Sequence, residues 1–254
     1  MLTPLLRVRG GVGRSFSQTV GGSVRETLSF YRHPVTGVDL YLVGTCHASS
    51  KSADEVKDVI RTVKPKTVMV ELCAKRKTQL DNNITNAIVK RIDLGPAGMM
   101  FQKYMKGLTE FLKAMGIEPG LEFKVAMQEC KDLGAHLVLG DQNVEETMRN
   151  IGQALSDTGL MRLVKFLLTV EQDNKLGSDA KSFVEVMERM KNREFARKIM
   201  KDLENFSPPV SRALLHDRDA FMYQQLIQSP GESIVAVVGL AHMDGIERRW
   251  KDAA

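Results

Sequence analysis

Two runs near opposite ends of the chain share the pattern Gly-x-x-His: Gly44-Thr45-Cys46-His47 and Gly239-Leu240-Ala241-His242. Only five histidines occur in 254 residues, and two of them fall in this one context. An imidazole binds borderline divalent metals and exchanges protons near neutral pH. Each run directly follows an apolar stretch of strand character, Leu40-Tyr41-Leu42-Val43 and Ile234-Val235-Ala236-Val237-Val238. In an open parallel sheet, residues just past the carboxyl ends of the strands line the edge where ligands bind. Two more such places carry carboxylates: Glu71, at the end of Thr67–Leu72, and Asp141, after His136–Gly140. Two imidazoles and two carboxylates from four strand ends suit Mn, Fe, Co or Zn, with positions left open for water. Gly44 and Gly239 permit a sharp strand-to-loop turn and close backbone approach.

Each of these residues also has a purely structural reading. A histidine after a strand can serve as a hydrogen-bonded packing residue. Glu71 can pair with Lys75 or Arg76 as an ordinary ion pair. Asp141, in Gly140-Asp141-Gln142-Asn143, can cap the following helix. His33 and His136 lack the post-strand context, and His136 begins its strand on the far edge of the sheet. The cluster His216-Asp217-Arg218-Asp219 interrupts an otherwise apolar helix, Leu214–Leu226. On a solvated face it is unremarkable. Turned inward, Arg218 would pair with Glu71 or Asp141, or grip an anionic substrate group bidentately.

The elements that must position these groups follow from hydrophobic periodicity. Asp39–Gly44, Thr67–Leu72, His136–Gly140 and Ser233–Gly239 read as buried parallel strands. Between the first two, Val56, Val59, Ile60 and Val63 recur at helical spacing, with Ser52 and Glu55 as a capping box and Pro65 as the stop. Strand, helix, strand makes a βαβ unit. Leu80–Glu129 is mostly helical, with a break at Gly116, a turn at Pro119-Gly120 and a helix over Glu122–Leu133. Asn143–Phe206 is helical again, interrupted near Gly177. Pro208-Pro209 reads as a turn before a helix over Val210–Gln228. The expected fold is α/β: a mainly parallel central sheet flanked by helices, built from both ends of a single domain over residues 28–254. Helical insertions are expected at about 76–130 and 143–206.

Net charge is +5, but the four arginines of the first 25 residues account for most of it, leaving 32 basic against 31 acidic residues. That balance, with no basic patch interleaved with aromatics, argues against nucleic acid as a partner. Residues 1–27 are rich in Arg, Ser and Gly, and reach Glu26 before any acid. This composition fits an organellar targeting segment, mitochondrial more than plastid, or else a disordered tail. Cys46, Cys73 and Cys130 form no CxxC pair and suit a reducing compartment. No apolar run reaches the length of a membrane span. A peripheral membrane or protein contact stays open, with Ala97–Met115 and Leu160–Val170 as candidate surfaces.

Several of these runs carry a family likeness. Gly44-Thr45-Cys46-His47-Ala48-Ser49, Val70-Glu71-Leu72-Cys73-Ala74-Lys75-Arg76 and Val238-Gly239-Leu240-Ala241-His242-Met243-Asp244-Gly245-Ile246 resemble the TraB/PrgY/GumN family, most closely its eukaryotic TraB domain-containing members. Gly116–Phe123, Leu139-Gly140-Asp141-Gln142 and Asp217-Arg218-Asp219 add to the likeness, which runs from about residue 37 to 250. The resemblance implies a fold shared with erythromycin-esterase and ChaN-like proteins. It also implies a metal-dependent hydrolase site, with His47, His242 and Glu71 at the positions associated with peptide cleavage in the secreted TIKI relatives. The chain departs from the family pattern at Gln142, where an arginine is usual, and at Asp217, where a glutamate is usual. Intracellular members are linked to mitochondria and their membrane contacts.

Three readings of function follow. In the first, the protein is a metal-dependent peptidase or amidase acting on a peptide or small molecule. His47 and His242 then hold Mn, Co or Zn, Glu71 is the third ligand or the base, Asp141 orients a histidine, and Arg218 positions substrate. In the second, it is a non-catalytic adaptor or membrane-contact protein. In the third, one histidine is an axial ligand to haem.

Overall fold

The computed structural model describes residues 24–46, 50–82, 119–159 and 192–253, with scattered positions between 95 and 110 that carry helical backbone. Described backbone begins with one helical turn, α1 (Val24–Thr27), leading into β1 (Leu28–Arg32). Then come β2 (Asp39–Thr45), α2 (Ser50–Val63), β3 (Thr67–Val70), α3 (Ala74–Asp81) and α4 (Leu121–Asp132). Next are β4 (His136–Leu139), α5 (Val144–Thr158), α6 (Arg193–Phe206), α7 (Pro208–Ser211), a π-helical turn over Arg212–His216 and α8 (Asp217–Ile227). The last strand, β5 (Ser233–Gly239), runs into α9 (Leu240–Lys251).

The sheet has the order β1-β2-β5-β3-β4. All neighbours are parallel except β1 on β2. The four expected strands are therefore present and parallel, and β5 fills the centre, between β2 and β3. β2 and β3 are joined through α2 but do not touch. The strand-helix-strand unit is split, and the strand that heals it arrives more than half the chain later. Thr45 lies in register with Gly239, and Val70 with Val237. The ends of β2, β5 and β3 therefore lie side by side.

Period-two alternation divides the sheet's side chains between two cores. Leu40, Leu42, Ile234, Ala236, Val238 and Met69 face α8 and α9, where Met222, Leu226, Met243, Ile246 and Trp250 cover them. Val43, Val235, Val237, Val68 and Val70 face the other way, against Val56, Val59 and Ile60 of α2 and Phe123, Ala126 and Cys130 of α4. A third, smaller core joins α5 to α6 and α7 through Ile151, Leu155, Phe206 and Val210. All three cysteines are free and buried. Among the described residues, no helix is long and apolar enough to cross a membrane.

The structure departs from the sequence reading at five places. β1 was not anticipated, because Leu28-Ser29-Phe30-Tyr31-Arg32 is a half-exposed edge strand without a continuous aliphatic run. α2 starts at Ser50, so Ser52 is a buried residue inside the helix and not its cap. Pro208 and Pro209 do not turn the chain; they form the first turn of α7, where a missing N–H costs nothing, and Ser207 caps it by accepting from Val210 N. The expected Val210–Gln228 helix is real but widened by the π turn. The helical stretch expected from Leu80 begins earlier, at Ala74, as α3 (Ala74–Asp81). The other boundaries differ by a residue or two: the strand expected to Leu72 ends at Val70, so Glu71 lies just beyond it, and the helix expected over Glu122–Leu133 is Leu121–Asp132. Gly116, Gly177, Leu160–Val170 and most of Ala97–Met115 lie outside the described residues, as does the segment 1–23.

Gly44 shows how closely the two Gly-x-x-His runs pack. A Cβ there would strike Met243 Sδ and lie 2.9 Å from Leu240 Cδ2. Met243 is fully buried, so it has no room to yield. Gly44→Ala should lower stability by about 1–3 kcal/mol through overpacking, measured by urea denaturation. Gly107→Ala, where a Cβ meets open space, should leave the midpoint unchanged or slightly raised.

Candidate functional site

β3 ends at Val70, and the chain places Glu71 immediately beyond it. Its carboxylate is almost fully buried. One oxygen, Oε2, accepts the backbone N–H of Gly239 at 2.7 Å. Gly239 is the N-cap of α9, so the carboxylate sits at the positive end of a helix. The other oxygen, Oε1, accepts from Arg218 Nη2 and lies 3.4 Å from His242 Nε2. His242 occupies the first turn of α9 and is buried. Its second nitrogen, Nδ1, is 2.6 Å from Asp219 Oδ1.

Arg218 closes the cluster from α8. Its Nε and Nη2 donate to the two oxygens of Asp141 at 2.9 Å each. Its Nη1 donates to the carbonyl of Leu214 at 3.2 Å, inside the π turn. A second arginine, Arg249, takes the His216 carbonyl of the same turn at 3.2 Å. The widened turn thus offers carbonyls to guanidinium groups, and π turns of this kind recur at functional sites. From it, α8 aims Arg218 and Asp219 inward while Asp217 stays exposed.

The structure therefore brings together Glu71, Asp141, Arg218 and His242. His47 lies outside the described residues; the chain is described as far as Cys46, directly beside the Gly239 end of β5. Two contacts within the cluster bear on the expected roles. Among the described residues Asp141 meets no histidine; it binds Arg218 and, through Oδ2, Arg76 Nη1 at 3.2 Å. The residue against His242 is Asp219, in the run that reads from sequence as a solvated face. Its signal was present in the Arg-Asp pair: two adjacent charges in an apolar helix can each meet a separate buried partner. The structural alternatives fare differently again. Lys75 pairs with Glu145, Arg76 takes only the main-chain oxygen of Glu71, and Asn143 is the residue that caps α5. His33 accepts from Val35 N and Thr36 N and stacks edge-on against Trp250, a structural role.

Electrostatics follow from this geometry. Burial by itself would lower the pKa of His242. The charge of Glu71 and the hydrogen bonds from Asp219 and Glu71 outweigh both burial and the opposing Arg218 charge, and push it up to about 9. Burial likewise opposes the charge of Arg218, but Glu71 and Asp141 overcome it and the pKa is raised.

The donors fit a divalent ion in kind and spacing. Two ligand atoms each about 2.1 Å from a tetrahedral ion would stand roughly 3.4 Å apart, and His242 Nε2 and Glu71 Oε1 are separated by 3.4 Å. Each is fixed from behind, the imidazole by Asp219 and the carboxylate by Gly239 N–H. Among the described residues, no group of three metal-binding side chains converges, so a protein site for such an ion would need a third ligand from outside them. A cavity of about 360 Å³ opens nearby between α6, the π turn and α9. It reaches Asp219 but is not lined by Glu71, Asp141, Arg218 or His242.

A family model for the TraB/PrgY/gumN family matches residues 33–252. An uncharacterized protein of Methanocaldococcus jannaschii is 30% identical over 224 residues, covering 85% of this chain and 54% of that protein. The TraB domain-containing proteins of Homo sapiens and Bos taurus are 27% and 28% identical over 245 residues, covering 84% of this chain and 63% of each relative. The chain thus spans between about half and just under two thirds of the length of these curated relatives.

Two predictions test the cluster. Asp219 Oδ2 occupies the space where a Cβ on Gly245 would lie. Gly245→Ala should therefore push Asp219 off His242 and destabilise the fold by about 1–3 kcal/mol, seen as a lower thermal midpoint. The second concerns pH. The folded pKa of His242, about 9, exceeds the value near 6.5 of an unfolded chain. Its contribution to stability is complete below about pH 6.5 and disappears as pH rises through about 9. Denaturation of metal-free protein across that window should show this loss, and His242→Gln should flatten it.

Proposed function

The chain belongs to the TraB/PrgY/gumN family, and from that premise and the site geometry we propose that it is a metal-dependent hydrolase of peptide or amide bonds. The observation that carries this reading is the facing of His242 Nε2 and Glu71 Oε1 at 3.4 Å, each braced by a buried partner. His242 and Glu71 would hold the ion, with His47, the histidine of the other Gly-x-x-His run, as the third ligand the sequence offers. Such an ion supplies Lewis-acid polarisation of a carbonyl and acidifies water for attack. Asp219 fixes the imidazole's orientation through Nδ1, leaving Nε2 for the ion. Glu71 acts as a ligand more than as a base, because both of its oxygens are already engaged. Arg218 holds Glu71 and Asp141 in place; with Nε, Nη1 and Nη2 all bonded to protein, it positions the site and does not grip substrate. A mitochondrial location belongs to the same proposal and rests on the basic composition of the first 25 residues.

One observation favours a second, non-catalytic reading as an organelle-associated adaptor. With His242 protonated, Glu71, Asp141 and Asp219 are balanced by Arg218, Arg76 and the imidazolium, so the cluster is electrically complete without an ion.

Elemental analysis of the purified protein separates the two. Metal should be present in wild type after exposure to Mn, Co or Zn, and lost in His242→Ala, Glu71→Gln and His47→Ala. Asp219→Asn should weaken affinity by about 10–100-fold. The same variants should lose cleavage of a mixed fluorogenic peptide library. A wild type that takes up no metal, and whose thermal midpoint ignores all three ions, establishes the adaptor reading instead.

A further inference from the structure

We infer that Arg76 is the substrate-anion anchor of this site, so that the preferred substrates are peptides carrying a carboxylate close to the scissile bond. This rests on the hydrolase reading above and adds the substrate class to it. Arg76 stands in the first turn of α3, just after Glu71. Its Nη1 is pinned by Asp141 Oδ2 at 3.2 Å and the main-chain oxygen of Glu71 at 3.4 Å. Neither contact uses Nε or Nη2, which have no partner among the described residues. That free edge is the one whose two parallel N–H groups match a carboxylate.

The contrast with its neighbours supports the assignment. Arg218 has a side chain 12% exposed, with its donors turned to protein, whereas that of Arg76 is 31% exposed. Lys75, next in the chain, is neutralised by Glu145. Asp141 cannot fully neutralise Arg76, because both of its oxygens already accept from Arg218. The guanidinium is thus held on one side and, among the described residues, open on the other. Arg76 also meets the main-chain oxygen of Glu71; on the hydrolase reading this sets a captured carboxylate close to the reacting carbonyl, as in a peptide's last residue.

The test measures binding first and cleavage second, on the full chain. Thermal-shift and calorimetric titrations would use N-acetyl-Ala-Ala with a free carboxylate, the same peptide as its C-terminal amide, and N-acetyl-Asp-Ala amide. The free acid should bind at least about tenfold more tightly than the amide, the loss expected for one charge-assisted contact. Arg76→Gln should abolish the difference while the protein still unfolds cooperatively and takes up metal. Arg76→Lys should restore only part of it. Tight binding of the Asp peptide as well extends the assignment to side-chain carboxylates; its failure confines it to the chain terminus. If acid and amide bind alike in protein that takes up metal, the role of Arg76 is overturned and the metal site stands. If Arg76-dependent acid binding occurs in protein that takes up no metal, the anchor stands and the hydrolase reading falls.

Discussion

A single buried carboxylate, that of Glu71, sets the terms for everything around it. Removing such a charge from water is tolerable only if every oxygen finds a charged or backbone donor. The donors come from three places distant in sequence: the N-cap of α9, the guanidinium on α8 and the imidazole on α9. Meeting that demand forces further ones. Arg218, once buried, needs Asp141 at the end of β4. His242, once buried, needs Asp219, and Asp219 needs the bare Cα of Gly245. The sheet order places β5 beside β3 so that Gly239 can reach Glu71, and the π turn gives α8 the rotation to deliver two adjacent charges to two different partners.

The two Gly-x-x-His runs look like repeats but do different work. Gly44 is a cavity for its counterpart, admitting Leu240 and Met243 against the end of β2. Gly239 is a donor, turning its N–H onto Glu71 while starting the helix that carries His242. Equivalent patterns thus became complementary surfaces: one run supplies the space and the other fills it.

Much of this was legible in the chain because it rests on local rules. Four aliphatic runs, three of them ended by glycine, read as strands, and their shared edge gathered Glu71, Asp141 and His242 without knowledge of any contact. The likeness to the TraB/PrgY/GumN family was legible in the same residues. What stayed hidden depends on tertiary context. Leu28–Arg32 becomes a strand only because β2 offers it an edge. Ser52 resembles a cap, yet the helix begins at Ser50 and buries it. Pro208-Pro209 signals a turn or a helix start equally well, and Ser207 decides between them. The partnership of Asp219 with His242 follows from the pitch of a π turn, which has no periodicity to read in five residues.

The position of β5 also shapes how such a chain must come into being. Its strand is the middle one of the sheet, yet it emerges from the ribosome long after β2 and β3. Until then those two strands hold open a slot with unpaired backbone on both sides, the kind of edge that recruits foreign strands. Folding therefore waits on a long-range closure, and chains of this topology are slow to close. A nascent or incompletely threaded copy would be a client for chaperones, and the carboxylate of Glu71 would meet solvent until β5 seats and shuts the sheet. Seating of β5 and assembly of the site are, in this architecture, the same event.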